Sequence, residues 1–211
     1  MHLIFSGQLY HATSHAWSDE QTRYYLIGTY VEPHPVQGVT LTATNGHILV
    51  CVHDENGSAD NPAIVRVPKE ALRACAGKRG KVGPSVMVKD GVAKVLASSE
   101  IVSTECIVDG TFPDWRRIIP AVPKAWSAPD GYGTTVLRVL SRIGDELAAI
   151  GERFPSKRGT PMRVLSPSDQ GPALALWPNI PHAFGVVMPM RANNNAVALP
   201  AWFGPPLQQA A

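Results

Sequence analysis

The sequence predicts an α+β fold in which one pattern, a strand followed by a helix and several more strands, occurs three times. Two observations carry this prediction. Helical patterns recur between groups of β-branched and alternating residues, and the dipeptides Asn45-Gly46 and Asp90-Gly91 mark hairpin turns within those groups. The 211 residues are 45% hydrophobic and 17% charged, which is an ordinary composition for a globular protein.

The first unit contains a helix predicted from about Gly7 to Trp17, with Ser6 as its N-cap. The segment RYYLIGTYV, which begins at Arg23, is rich in aromatic and β-branched residues and predicts a strand. The next segment alternates in polarity on both sides of Asn45-Gly46, so we expect a hairpin there.

The second unit begins with a strand over Ala63 to Val67, and Pro68 then suits the first turn of a helix from Lys69 to about Ala76. Further strands follow, with a turn at Asp90-Gly91. The third unit has the clearest helix of the chain, because four apolar residues recur at helical spacing: Val136, Leu140, Ile143 and Leu147. Its strands are expected from Met162 to Leu165, Ala173 to Trp177 and Phe184 to Met190.

The composition excludes several classes of protein. No apolar run approaches the roughly 18 residues that span a bilayer, and the N-terminal residues lack the pattern of a signal peptide, so we expect a cytoplasmic protein without a membrane partner. Cys51, Cys75 and Cys106 are far apart in the sequence and predict buried free thiols. His11 and His15 lie four residues apart, but no third ligand is evident, so an exposed helix face is expected and no metal site.

Charge is unevenly distributed along the chain. Residues 1–60 contain one Lys or Arg and six Asp or Glu, which gives a net charge of −5. Residues 61–120 contain ten Lys or Arg and six Asp or Glu, which gives +4. Residues 121–211 contain eight Lys or Arg and five Asp or Glu, which gives a net charge of +3. This segregation permits a local nucleic-acid surface, although solvated helix faces explain the same counts equally well.

Four short segments carry a resemblance to a known family. VDGTFPDWRRIIP begins at Val108, RYYLIG at Arg23, TNGHIL at Thr44 and VVMPMR at Val186. In their order and spacing they resemble the bacterial DNA polymerase III beta subunit, the sliding clamp. The resemblance covers the family's second domain and the second half of its third, whereas its first domain and the opening half of its third have no counterpart.

The resemblance implies a DNA-clamp architecture of repeated β-α-β-β-β units, with helices on one face of antiparallel sheets. It implies a complete domain over residues 1–120, a half domain over residues 121–192 and a tail over residues 193–211. Rings of this family contain twelve units. Three units per chain therefore predict a homo-oligomer that closes as a tetramer, its half domain completed by a neighbouring chain.

The resemblance also implies a hydrophobic groove in which DNA polymerases or other clamp-binding proteins dock a short peptide. Leu, Val, Pro and Met would form an adaptable apolar pocket, although Leu49 and Val186 suit a protein core equally well. Asn45 and Ile48 replace an Asp and an Arg that are common in the family, so one charged interaction of the family is missing. The implied groove residues are Leu26, Thr44, Gly46, His47, Leu49, Pro120, Val186, Met188, Pro189, Met190 and Arg191.

The predicted DNA-facing residues are scattered cations, as contacts to phosphate that ignore base sequence require. They are Lys69, Arg73, Lys78, Arg79, Lys81, Arg138 and Arg142. One residue of Arg116-Arg117 is expected to brace a turn instead.

We find no pattern for catalysis or for a cofactor. The segment Gly77 to Lys81 has the wrong spacing for a phosphate-binding loop, and the carboxylates are scattered. The resemblance implies a non-catalytic sliding-clamp-like processivity factor that encircles double-stranded DNA, and a clamp loader is a further partner that the sequence leaves open. Two alternatives stay open: an adaptor or decoy that keeps the groove without forming a ring, and a small enzyme of another type.

Overall fold

The structure, a computed structural model, describes residues 1–76, 83–96, 100–103, 105–120, 131–150, 159–168 and 171–190. Three α-helices are present in these ranges: α1 (Gly7–Ser14), α2 (Lys69–Cys75) and α3 (Thr134–Ile150). The strands of the same ranges are β1 (His2–Ser6), β2 (Thr29–Pro33), β3 (Val39–Thr44), β4 (Ile48–Asp54), β5 (Ser58–Ala59), β6 (Ala63–Val65), β7 (Ser85–Lys89), β8 (Val92–Leu96), β9 (Glu100–Ser103), β10 (Ile107–Val108), β11 (Arg163–Leu165), β12 (Ala173–Leu176) and β13 (Ala183–Val187). None of the described helices is long and apolar enough to cross a bilayer.

The first two units exchange their first strands. β1 of the first unit lies in a five-stranded sheet of order β5-β1-β7-β8-β9, beside the strands of the second unit. In return, β6 of the second unit pairs with β2 of the first. Each of these two units therefore contributes strands to both sheets.

The third unit extends the second sheet. β13 pairs antiparallel with β4, which gives a continuous eight-stranded sheet of order β10-β6-β2-β3-β4-β13-β12-β11. All the strand pairs in both sheets are antiparallel, as the DNA-clamp architecture implies. The predicted α+β fold is thus confirmed.

The helices form a layer on one side of the sheets, and α1 contacts both α2 and α3. One hydrophobic core joins this layer to the sheets, with Phe5 from β1, Leu41 from β3, Val86 from β7 and Leu140 from α3 among its buried members. The third unit therefore shares a core with the first two.

Local signals in the sequence explain many of the element boundaries. The Ser6 hydroxyl accepts a hydrogen bond from the Leu9 amide, which confirms the predicted N-cap. Gly46 and Gly91 have φ values of +89° and +79°, conformations that glycine adopts without steric cost. Helix α1 ends at Ser14, however, three residues before the predicted end at Trp17.

The predicted strand over RYYLIGTYV is wrong in its first half. Residues Gln21–Leu26 form a 3-10 helix, and the strand begins at Thr29. The apolar side chain of Leu26 is buried, whereas Tyr24 is 51% exposed. Because the segment buries one side chain rather than every second one, β propensity does not decide its conformation.

Candidate partner groove and nucleic-acid interface

The predicted groove residues meet where β4 begins and β13 ends. Leu49 pairs with Val186 in the antiparallel register, and the Met188 amide donates a 3.0 Å hydrogen bond to the His47 carbonyl. The β3–β4 hairpin is held by the Thr44 hydroxyl, which donates to the Ile48 carbonyl at 2.7 Å. Segments 137 residues apart in the sequence are thus joined by backbone pairing.

Asn45 has a structural role in this hairpin. Its side-chain oxygen accepts hydrogen bonds from the His47 amide at 3.0 Å and the Ile48 amide at 3.1 Å. Ile48 itself is 2% exposed and packs in the main core. Asn45 therefore stabilises the hairpin turn, and Ile48 is part of the core.

The predicted groove residues divide into a buried set and an exposed set. Leu26, Leu49 and Val186 are 4%, 1% and 2% exposed and belong to a second hydrophobic cluster. In this structure they are core residues, and their apolar surface is covered. The accessible apolar surface comes from Met188 and Met190, which are 40% and 58% exposed.

The other predicted groove residues lie around this junction or outside the described residues. His47 and Gly46 are exposed at the hairpin, and Pro189 is partly buried between the two methionines. Pro120 is partly buried, and the preceding Ile119 packs against the second hydrophobic cluster. Arg191 lies outside the described residues.

Arg23 lies beside the predicted groove residues at the β3–β4 hairpin, although it is not one of them. Its Nη1 lies 2.7 Å from the position that a Cβ on Gly46 would occupy, and an ion pair with Glu20 holds its Nε at 3.0 Å. The side chain is 45% exposed, so it offers a positive charge beside His47. Its place at the start of RYYLIG is the sequence signal that could have identified it.

The outer face of the large sheet is covered by the segment around the second 3-10 helix, Trp115–Ile118. Arg116 forms a bidentate ion pair with Glu32, at 2.9 and 3.2 Å, and its guanidinium lies 4.3 Å from the centre of the Trp115 ring. This confirms that one arginine of the pair braces a turn. Beside it lies a depression of about 410 Å³ in which burial raises the pKa of the Cys51 thiol to about 12.

Four of the predicted DNA-facing residues are exposed on the helical layer. Lys69 and Arg73 extend from α2, and Arg138 and Arg142 from α3. Arg142 also contacts Glu146 one turn later, with 3.3 Å between Nε and Oε1, and remains 64% exposed. The other three, Lys78, Arg79 and Lys81, lie outside the described residues.

His11 and His15 do not form the exposed helix face predicted for them. Their side chains are only 17% and 15% exposed, and both contact Glu146 of α3, at 2.9 and 2.7 Å. Burial acts to raise the pKa of Glu146, but hydrogen bonds from the two imidazoles outweigh burial and hold that pKa well below its usual range. The three side chains come together because α1 packs against α3, a contact between helices far apart in the sequence.

Comparison with known proteins finds relatives among the beta sliding clamps of bacteria. No protein-family model matches the sequence. The chain is 32% identical over 114 residues to the beta sliding clamp of Caulobacter vibrioides and 33% identical over 112 residues to that of Pseudomonas aeruginosa. Each match covers 51% of this chain and 30% of the relative, so the matched region spans less than a third of the curated relatives.

The fold agrees over a longer stretch. A crystal structure of the DNA polymerase sliding clamp from Pseudomonas aeruginosa superimposes with a TM-score of 0.62 at 17% identity, covering 91% of this chain and 66% of that one. The chain therefore has the fold of the bacterial beta sliding clamp over about nine-tenths of its length, and it resembles that protein in sequence over about half.

Proposed function

We propose that this chain is a non-catalytic, clamp-like processivity factor whose copies form a ring around double-stranded DNA. The observation that carries the proposal is the continuous sheet across the β4–β13 junction, with a helical layer behind it. Such a sheet is a rigid outer wall, and the exposed cations of α2 and α3 suit an inner surface that contacts phosphates without reading bases.

The edge of the large sheet supports assembly from several chains. In the first unit, β2 is completed by β6, the first strand of another unit. Its counterpart in the third unit, β11, is the edge strand among the described strands. An unpaired edge is a template for pairing with another chain, so a neighbouring copy would complete the half domain. Twelve units per ring then require four copies of the chain.

The topology of bound DNA tests this proposal. A ring loaded onto a closed circular duplex should stay bound through a gel-filtration column and should dissociate when a single cut makes the DNA linear. Without DNA, the protein should have the mass of four chains by light scattering. Equal retention on circular and linear DNA would support the adaptor instead, and a monomer at high concentration and low salt would contradict the ring.

The groove gives a separate prediction. A fluorescent peptide that carries adjacent Leu and Phe residues should bind the chain, and the double substitution Met188→Ala with Met190→Ala should weaken that binding about 10-fold, because truncation of an exposed apolar anchor costs about 1–2 kcal/mol. Val36→Ala is the control, since Val36 is 88% exposed at the β2–β3 turn, away from the groove. An unchanged affinity in the double variant would remove the two methionines from the peptide site.

A further inference from the structure

We propose that His11, His15 and Glu146 form a zinc-binding site between helices α1 and α3. One ligand atom from each side chain lies within 4.8 Å of the other two, and His11 Nδ1 and His15 Nε2 each contact an oxygen of the Glu146 carboxylate. Within the part of the chain that the structure describes, this is the one group of three or more His, Cys, Asp or Glu side chains with that geometry.

The donor set matches the coordination chemistry of zinc. Two imidazoles and one carboxylate leave a fourth tetrahedral position for water, and the usual zinc–ligand distances of about 2.0–2.2 Å place neighbouring ligand atoms about 3.3 Å apart. The contacts of 2.9 Å and 2.7 Å to Glu146 are slightly shorter than this. No ligand atom of the group lies more than 4.8 Å from another, so side-chain adjustments of about 1–2 Å would admit the ion.

The surroundings permit both binding and entry. The three side chains are 15–29% exposed, so they are held by packing without being sealed from solvent. A cavity of about 220 Å³ lies beside His11 and Glu146, with space for a water molecule on the metal. Arg142 is the competing cation, because its Nε lies 3.3 Å from the same carboxylate.

The site would join the third unit to the first. Its two histidines lie at the end of α1 and its carboxylate on α3, so a bound ion would fix the angle between the two helices. Zinc binding at this site requires only the isolated chain and does not depend on DNA binding, a ring or the peptide groove.

Calorimetric titration of the chelator-treated chain with zinc chloride tests the site. We expect one zinc ion per chain and a loss of affinity of at least 100-fold in Glu146→Gln and in His15→Asn, more than the roughly 10–100-fold that loss of a supporting hydrogen bond costs. Arg142→Gln should tighten binding, because it removes the competing cation. Circular dichroism checks that each variant is folded.

His34→Asn is the matched control. His34 also lies close to a second histidine, with 4.2 Å between its ring centre and that of His53, but its Nδ1 accepts hydrogen bonds from backbone amides. The affinity of the His34→Asn variant for zinc should equal that of the unmodified chain. Absence of zinc binding by the unmodified chain, or equal affinity in Glu146→Gln, would overturn the site. Weaker binding in Arg142→Gln would also contradict it, and that variant changes only an exposed side chain.

Discussion

Neutralising the exposed cations of α2 and α3 should weaken retention on circular DNA at least 10-fold and flatten its dependence on salt. Removal of one cation that binds a phosphate should reduce the slope of log affinity against log salt concentration by about 0.9, because fewer counterions are released. Retention at several salt concentrations measures both effects. The four substitutions are Lys69→Gln, Arg73→Gln, Arg138→Gln and Arg142→Gln.

A matched pair of cations outside the helices provides the control. Lys89 is exposed on β7, where it alternates with the buried Val86 and Val88, and Arg117 is exposed on the second 3-10 helix. Lys89→Gln with Arg117→Gln removes the same two charges as Lys69→Gln with Arg73→Gln. Equal loss of retention in these two double variants would mean that net charge, and not the helical layer, holds the DNA.

The substitution Gly144→Ala should destabilise the chain, although it replaces glycine with the best helix former. Helix propensity alone favours alanine by about 1 kcal/mol. A Cβ at this position, however, would lie 2.2 Å from Nε1 of the buried Trp177 ring, so α3 or the ring must move. Overpacking of this kind costs about 1–3 kcal/mol, which outweighs the gain in propensity, and we expect the free energy of unfolding to fall by about 1 kcal/mol.

Two further variants test the packing explanation in urea denaturation. Gly131→Ala should change stability by less than about 0.5 kcal/mol, because the nearest atom to its Cβ is the Met190 carbonyl oxygen at 4.0 Å. Trp177→Leu removes the ring, so adding Gly144→Ala to that variant should cost less than it costs alone. A stabilised Gly144→Ala chain would mean that Trp177 does not pack over α3 as described.

Turns, caps and helix faces could be predicted from short stretches of sequence, because local chemistry decides them. The Asn45-Gly46 and Asp90-Gly91 dipeptides lie at the turns of two hairpins. Leu140, Ile143 and Leu147 of α3 are buried, as their helical spacing predicts. The same local reasoning was wrong for Gln21–Leu26, because the aromatic residues predicted a strand and the segment forms a 3-10 helix that buries only Leu26.

The predicted groove shows a different limit. The resemblance identified Leu49 and Val186 as neighbours, and they are paired in the sheet. Whether both line a groove or pack in the core stayed open, and the segment from 105 to 120 that packs over the sheet buries both while Met188 is exposed. Residue identity alone does not distinguish a buried residue of the predicted groove from an exposed one.

The sequence by itself determined the turns at Asn45-Gly46 and Asp90-Gly91 and the apolar face of α3, since these follow from local turn chemistry and from a period of 3.6 residues along the chain. Only the tertiary structure decided the exchange of β1 and β6, the β4–β13 junction and the meeting of His11 and His15 with Glu146. These contacts join residues tens to more than a hundred positions apart. They are selected by the burial of complementary faces, and no local pattern in the sequence encodes which faces will meet.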